Sequence, residues 1–242
     1  MDAQARMVAE QIRARGIRDP LVLSALTRVR RERFIPEERR AEAYDDRPVP
    51  IGYGQTISQP YIVAYMTEAL RVGPAHRVLE IGTGCGYQTA VLAELAAEVY
   101  SIELIEALAE RARLTLEALH YANVHVRAGD GYAGWPEHAP FDRIMVTAAP
   151  DEVPPALIEQ LKVGGLMAIP VGTAAQELRI LRRTAGGIEI LERMPVRFVP
   201  MTGKPRPPGL ASDQTGGAKS GGWRRGPVAR SYAAASARSA PS

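Results

Sequence analysis

The sequence predicts an α/β protein built on a doubly wound, mostly parallel sheet. Helices precede the sheet at the N-terminus, and an antiparallel hairpin closes it at the C-terminal end. Three observations predict this. Apolar runs of strand length alternate with helical patterns from residue 77 to residue 172, as right-handed strand–helix–strand crossovers require. The first strand–helix junction carries a glycine-rich stretch, "LEIGTGCGYQTA", at residues 79–90. Two further strand-like runs, "ELRILRRT" and "IEILERMPVRFV", face each other across Gly186-Gly187 and add antiparallel pairing at one edge. With 242 residues, 46% of them hydrophobic, one sizeable core and one domain are expected.

The elements follow in order. Residues 2–45 read as short amphipathic helices anchored by Val8, Ile12, Leu21, Leu26 and Val29. The Arg-rich "RVRRERF" within them reads as a solvated helix face. Pro60 opens a helix over 60–71, where it needs no N–H partner, and Ile62, Val63, Met66, Ala69 and Leu70 follow at helical spacing. "RVLEIG" (77–82) is a buried strand, residues 87–96 a helix, and "EVYSIE" (98–103) a second strand. Leu104, Leu108, Ala112 and Leu116 mark the next helix, before the strands "NVHVRAGD" (123–130) and "FDRIMVTAA" (141–149). "VPPALIEQL" reads as a helix and "VGGLMAIPVG" as the last parallel strand.

Charge divides the chain unevenly. From Lys204 onward there are seven Lys or Arg against one Asp, so the formal +3 of the whole chain leaves residues 1–203 at −3. Residues 1–203 are therefore expected to be the globular domain. Residues 204–242, rich in Pro, Gly, Ser and Ala, are expected to be a disordered basic tail. No apolar run approaches the roughly 18 residues of a membrane span, and the charged N-terminus lacks a signal-peptide core. The single cysteine, Cys85, excludes an intrachain disulfide. Together these lead to the expectation of a cytoplasmic protein. The histidines at 76, 120, 125 and 138 show no metal-ligand spacing, so no metal is expected.

Open α/β sheets bind ligands beyond the carboxyl ends of their strands, which directs attention to the glycine turn. Gly82, Gly84 and Gly86 let the chain turn sharply and let backbone approach a ligand. A dinucleotide fingerprint needs Gly or Ala at its sixth position, which here is Tyr87. The pattern is E-x-G-x-G-x-G from Glu80, and it resembles the S-adenosylmethionine loop of class I methyltransferases. A carboxylate at the loop entrance, expected of Glu80, repels phosphates and suits an amino-acid or sulfonium group. Glu103 ends the next strand 21 residues after Gly82, placed to accept ribose hydroxyl protons. Asp130, in "AGDGY", either meets an adenine amino group or caps a turn before Gly131. Cys85 reads as a small loop residue. The run Gln55–Ser58 precedes Pro60 at a helix start, where orphan N–H groups favour an anion. Taken alone, Thr56 and Ser58 there read as capping residues.

"YGQTISQPY", "VLEIGTGCGYQTAVLA", "GDGY", "APFDRIMVTAAP", "IPVG" and "VRFVPMTG" occur in the order found in protein-L-isoaspartate O-methyltransferases. The chain resembles that family from about residue 5 to residue 203. The glycine loop is shared by many methyltransferases, whereas "QTISQP" and "VRFVP" are much more restricted. The resemblance implies S-adenosyl-L-methionine as cofactor and isoaspartyl proteins and peptides as substrates. It implies the active-site role for Ser58, and cofactor contacts at Glu80, Gly82, Gly84, Cys85, Gly86, Glu103, Leu104, Gly129 and Asp130. It implies cleft walls at Gln55, Thr56, Ile57, Val199 and Thr202. It further implies methylation of the free α-carboxylate, with repair through a succinimide. Cys85 departs from the family pattern, where serine is usual, and the tail has no counterpart in it. No specific nucleic acid, no membrane and a monomer are expected.

Three other readings stand beside this one. A methyltransferase of a small acid or of RNA shares the loop, but RNA calls for a basic cleft that an acidic domain does not offer. A noncatalytic cofactor-binding module is disfavoured by the intact "QTIS" run, and an NAD oxidoreductase by Tyr87.

Overall fold

The computed structural model describes residues 2–203; the expected tail lies outside the described residues. The N-terminal region is helical but irregular. It runs through α1 (Ala3–Arg6), a π turn over Met7–Ile12 and a 3-10 turn over Arg13–Arg15 to α2 (Pro20–Arg28). Asp2 and Asp19 cap α1 and α2 by accepting backbone N–H bonds, and Pro20 sits in the first turn of α2. Val8, Ile12, Leu26 and Val29 are buried as expected. Leu21 is 55% exposed, because α2 turns Val22, Leu23, Ala25 and Leu26 to the core.

The sheet has seven strands in spatial order β5-β4-β3-β6-β7-β8-β9. These are β3 (Arg77–Ile81), β4 (Glu98–Glu103), β5 (Val124–Ala128), β6 (Phe141–Val146), β7 (Leu161–Val171), β8 (Gln176–Thr184) and β9 (Gly187–Val196). β5, β4, β3, β6 and β7 pair in parallel, while β8 and β9 add antiparallel strands at one edge. The order reverses between β3 and β6, which opens a crevice at the carboxyl ends of these strands.

Alternation along β3 separates two cores. Val78 faces a large cluster that holds the N-terminal helices, α3 (Pro60–Leu70), α4 (Tyr87–Ala93) and α5 (Glu106–Ala118). Leu79 and Ile81 face the opposite layer with Phe141, Ile144 and Leu157, the last from α6 (Pro155–Gln160). The central strands are buried on both faces, as parallel sheets require.

A small antiparallel hairpin that the sequence pattern did not announce precedes α3. β1 (Val49–Gly52) pairs with β2 (Gln55–Ile57). Its turn residues Tyr53 and Gly54 have φ of 53° and 70°, the two left-handed positions of a type I′ turn. Asn or Asp is usual where Tyr53 stands, which hides the turn from a reading of residue types.

Candidate functional site

The crevice at the carboxyl ends of β3, β4 and β6 is a cleft of about 610 Å³. Gly82 and Gly84 form its floor, Glu103, Leu104 and Ile105 one wall, and Thr147 and Ala148 another. The loop folds tightly against β4: Gly82 N–H donates to the Ile102 carbonyl at 2.8 Å and Gly86 N–H to that of Thr83 at 2.8 Å. Gly82 has φ +96°, and a Cβ there would stand 2.2 Å from Thr147 Oγ1, so only glycine leaves that wall in place. The last wall is Val199, Pro200, Met201 and Thr202. This segment returns from β9 along the end of β6, where Ala149 N–H donates to Val199 and Met201 N–H to Ala149.

Gln55 and Thr56 close the cleft from the hairpin. Beside it is a second pocket of about 450 Å³, lined by Ile57, Ser58, Met66, Cys85, Tyr87 and Gln88 among others. Thr56, Gly82, Gly84 and Thr147 line both, so the two compartments meet at the glycine loop. Ser58 is half-buried on the wall of the second pocket. It is not a helix cap: the N-cap of α3 is Gln59, and no side chain caps that helix. Ser58 takes part through its carbonyl, which accepts from Arg31 Nη2 at 2.7 Å.

Glu103 is the carboxylate of the cleft. Its Oε2 accepts Gly84 N–H at 2.8 Å and its Oε1 accepts Ile105 N–H at 3.0 Å, which fixes the group on the wall. Each oxygen keeps acceptor capacity toward a ligand hydroxyl. Among the described residues, those lining the cleft include this one acid and no Lys or Arg. That donor set suits a ribose and a cationic sulfonium or ammonium, and it disfavours a pyrophosphate. The residues present therefore fit S-adenosylmethionine.

Several expected cofactor contacts fall elsewhere. Glu80 is completely buried on the α4 side of β3, because strand alternation turns it away from Ile81 and the cleft. Its Oε2 accepts from Thr89 Oγ1 and Ser101 Oγ at 2.5 and 2.6 Å, and its Oε1 has no partner among the described residues. Burial pushes its carboxyl up to about 7. Glu80 thus supports the loop from beneath. Gly86 does not line the cleft either; a Cβ there would press on Leu116 Cδ1 at 3.2 Å, so its place is against α5. Cys85 lines the second pocket, and burial pushes its thiol pKa up. Gly129 and Asp130 stand beside the cleft without lining it. Gly129 N–H donates to the Glu103 carbonyl, and Asp130 Oδ1 caps the turn at Tyr132 N–H at 2.9 Å. The capping alternative read for Asp130 is realised.

Gly82, Gly84, Glu103, Leu104, Gln55, Thr56, Val199 and Thr202 are gathered in the cleft, with Ile57 and Ser58 in the adjoining pocket. Reading by motif missed Ile105, Gly131, Thr147 and Met201, whose place depends on tertiary contact. It also misplaced Arg31: within the supposed solvated run, this side chain is fully buried. Its Nε donates to the Ala43 carbonyl at 2.7 Å, and burial lowers its pKa. Among the described residues no group of His, Cys, Asp and Glu is arranged to hold a metal, and no helix is long and apolar enough to cross a membrane.

Comparison with known proteins bears on this site. The family profile described as protein-L-isoaspartate(D-aspartate) O-methyltransferase matches residues 2–206. A protein-L-isoaspartate O-methyltransferase of a Picosynechococcus species is 57% identical over 198 residues, covering 82% of this chain and 89% of the relative. One from Anaeromyxobacter dehalogenans is 58% identical over 205 residues, covering 83% and 98%. Among solved structures, a protein-L-isoaspartate O-methyltransferase superposes with a TM-score of 0.77 at 29% identity, covering 83% of this chain and 66% of that one. Another, described as a protein-L-isoaspartate O-methyltransferase from Plasmodium falciparum in complex with S-adenosyl-L-homocysteine, gives 0.71 at 25% identity, covering 84% and 99%.

Proposed function

The chain belongs to the protein-L-isoaspartate(D-aspartate) O-methyltransferase family, and on that premise we propose how its cleft carries out the reaction. The enzyme transfers a methyl group from S-adenosyl-L-methionine to isoaspartyl residues of proteins and peptides, a step in protein repair. We assign cofactor binding to Gly82, Gly84, Glu103 and Leu104, with Gly129 and Asp130 supporting the rim. Substrate binding falls to Gln55, Thr56, Ile57, Val199 and Thr202. Ser58 is the catalytic residue.

The observation that carries this reading is the meeting of two compartments at the glycine loop, with Ser58 on the smaller one. Bound in the larger cleft, the cofactor supplies an electrophilic methyl group on a sulfonium. The isoaspartyl α-carboxylate, with a pKa of about 3.3–3.7, is already ionised at neutral pH and needs no general base. What remains for the protein is orientation. The Ser58 hydroxyl, unused as a helix cap, donates to the carboxylate and turns its other oxygen toward the methyl group. Charges of opposite sign cancel during transfer, so the apolar walls Ile57, Val199 and Met201 help by excluding water. The ester then closes to a succinimide without further help from the enzyme.

The acidic balance of residues 1–203 favours protein and peptide substrates over nucleic acid. The single cysteine, Cys85, is buried and reduced, which suits the cytoplasm. Incubating the enzyme with an isoaspartyl peptide and adenosylmethionine should yield one methyl ester per peptide, then the succinimide, by mass spectrometry. Methylation of RNA and not of the peptide would overturn the substrate assigned.

A further inference from the structure

We propose that Arg31 is the positioning residue for Ser58: its buried guanidinium ties the serine's backbone to the N-terminal helical region and so sets where the hydroxyl points. This role rests on Ser58 acting in the reaction above.

The β1–β2 ladder ends at the pair Val49↔Ile57, so Ser58 is the first residue beyond it. The next element, α3, begins at Pro60 and has no side-chain cap. At this gap Arg31 supplies the hold. Its Nη2 donates to the Ser58 carbonyl and its Nε to the Ala43 carbonyl, both at 2.7 Å. A guanidinium is rigid and planar, so two bonds from one group fix two strands of chain relative to each other; a lysine ammonium cannot span both in that way. The guanidinium is itself held from the loop side, with Cζ 5.0 Å from the ring centroid of Tyr87, against which Phe34 stands edge-on. Tyr87 opens α4 directly after the glycine loop and lines the same pocket as Ser58. Arg31 therefore joins the serine and the cofactor loop through one side chain.

Arg31 is 0% exposed, both its hydrogen bonds go to carbonyls, and Nη1 has no partner among the described residues. Burying a guanidinium without a carboxylate carries a desolvation cost, which its bonds to the Ala43 and Ser58 carbonyls offset only in part. What an apolar residue cannot do is hold the Ser58 carbonyl.

The test is a double-mutant cycle of Arg31→Met and Ser58→Ala, read by single-turnover methylation of an isoaspartyl peptide, adenosylmethionine affinity and thermal midpoint. Arg31→Met leaves the Ala43 and Ser58 carbonyls without their donor and should lower the midpoint, while cofactor affinity of the folded enzyme stays within about twofold. Its transfer rate should fall roughly 10–100-fold, the cost of a misplaced reacting group. In the Ser58→Ala background the same change should cost less than about twofold more, since residues acting as a unit are not additive. Arg31→Lys, with the charge and one donor kept, should be intermediate. Additive effects, or a wild-type rate in Arg31→Met, would overturn the proposal. If Arg31→Met does not fold, Arg31→Gln replaces it in the cycle; if none of the three variants folds, Arg31 is a fold residue and the proposal fails. The wild type run alongside separates the two questions. No transfer by the wild type sinks the reaction and Arg31's role with it, whereas transfer with additive variants sinks only Arg31's role.

Discussion

Ser58 is half-buried on the smaller pocket, and its side chain does not cap α3. That absence separates stability from activity more cleanly than the sequence suggested. A capping serine replaced by alanine costs about 0.5–2 kcal/mol. With no cap to lose, Ser58→Ala should leave the thermal midpoint within the scatter of surface substitutions, about 0.5 kcal/mol. Cofactor affinity should also be kept, while single-turnover methylation falls well below wild type. Ser58→Thr should be intermediate, because the hydroxyl survives but an extra methyl crowds the pocket. A Ser58→Ala enzyme with the wild-type rate would remove the serine from the reaction. Residue types made the glycines and Glu103 legible, since a tight turn and a ribose acceptor are local requirements. They could not reveal Arg31, whose neighbours in "RVRRERF" are solvated ion-pairing arginines: Arg28 pairs with Glu94 and Arg30 with Asp2. Only the tertiary packing of Ala43, Ser58 and Tyr87 around it makes it a core residue.

At the scale of elements, the parallel strands and their helices follow from apolar periodicity, and β4 begins and ends where the pattern "EVYSIE" does. The β1–β2 hairpin was not legible, because its turn places a tyrosine in the left-handed region. The facing of Glu80 was misjudged for a different reason. The pattern E-x-G-x-G-x-G fixes its distance from the loop, but strand alternation decides which layer it enters. Held between β3, β4 and α4, Glu80 couples folding to protons. Its carboxyl is raised from 4.5 to about 7, so between those values the folded state holds a proton that the unfolded state has released. Folding then takes up a proton, and the stability this group contributes is full below about pH 4.5 and is lost as pH rises to about 7. At about 1.4 kcal/mol per pKa unit, the loss is on the order of 3 kcal/mol. Glu80→Gln should flatten the stability profile across this window and be the more stable protein at pH 8. Denaturant midpoints at pH 5, 6, 7 and 8 check it, and parallel profiles for the two proteins would contradict it.

At the scale of the whole molecule, the cleft is assembled from the hairpin before α3, the turns after β3 and β4, and the segment after β9. Among the described residues the last cleft wall ends at Thr202. Residues 204–242, rich in Pro, Gly, Ser and Ala, offer few side chains to build a cleft wall, so ending the chain after Gly203 should leave the peptide-methylation rate nearly unchanged; a large loss in a folded, truncated protein would give them a part in the site. On the function proposed above, this assembly recognises the free α-carboxylate that an isoaspartyl linkage exposes. This recognition is tested most directly by two peptides, identical except for isoaspartate or aspartate at one position, presented together to the enzyme with adenosylmethionine. The isoaspartyl peptide should be methylated and its aspartyl twin left almost untouched; equal methylation of both would rule out recognition of that carboxylate.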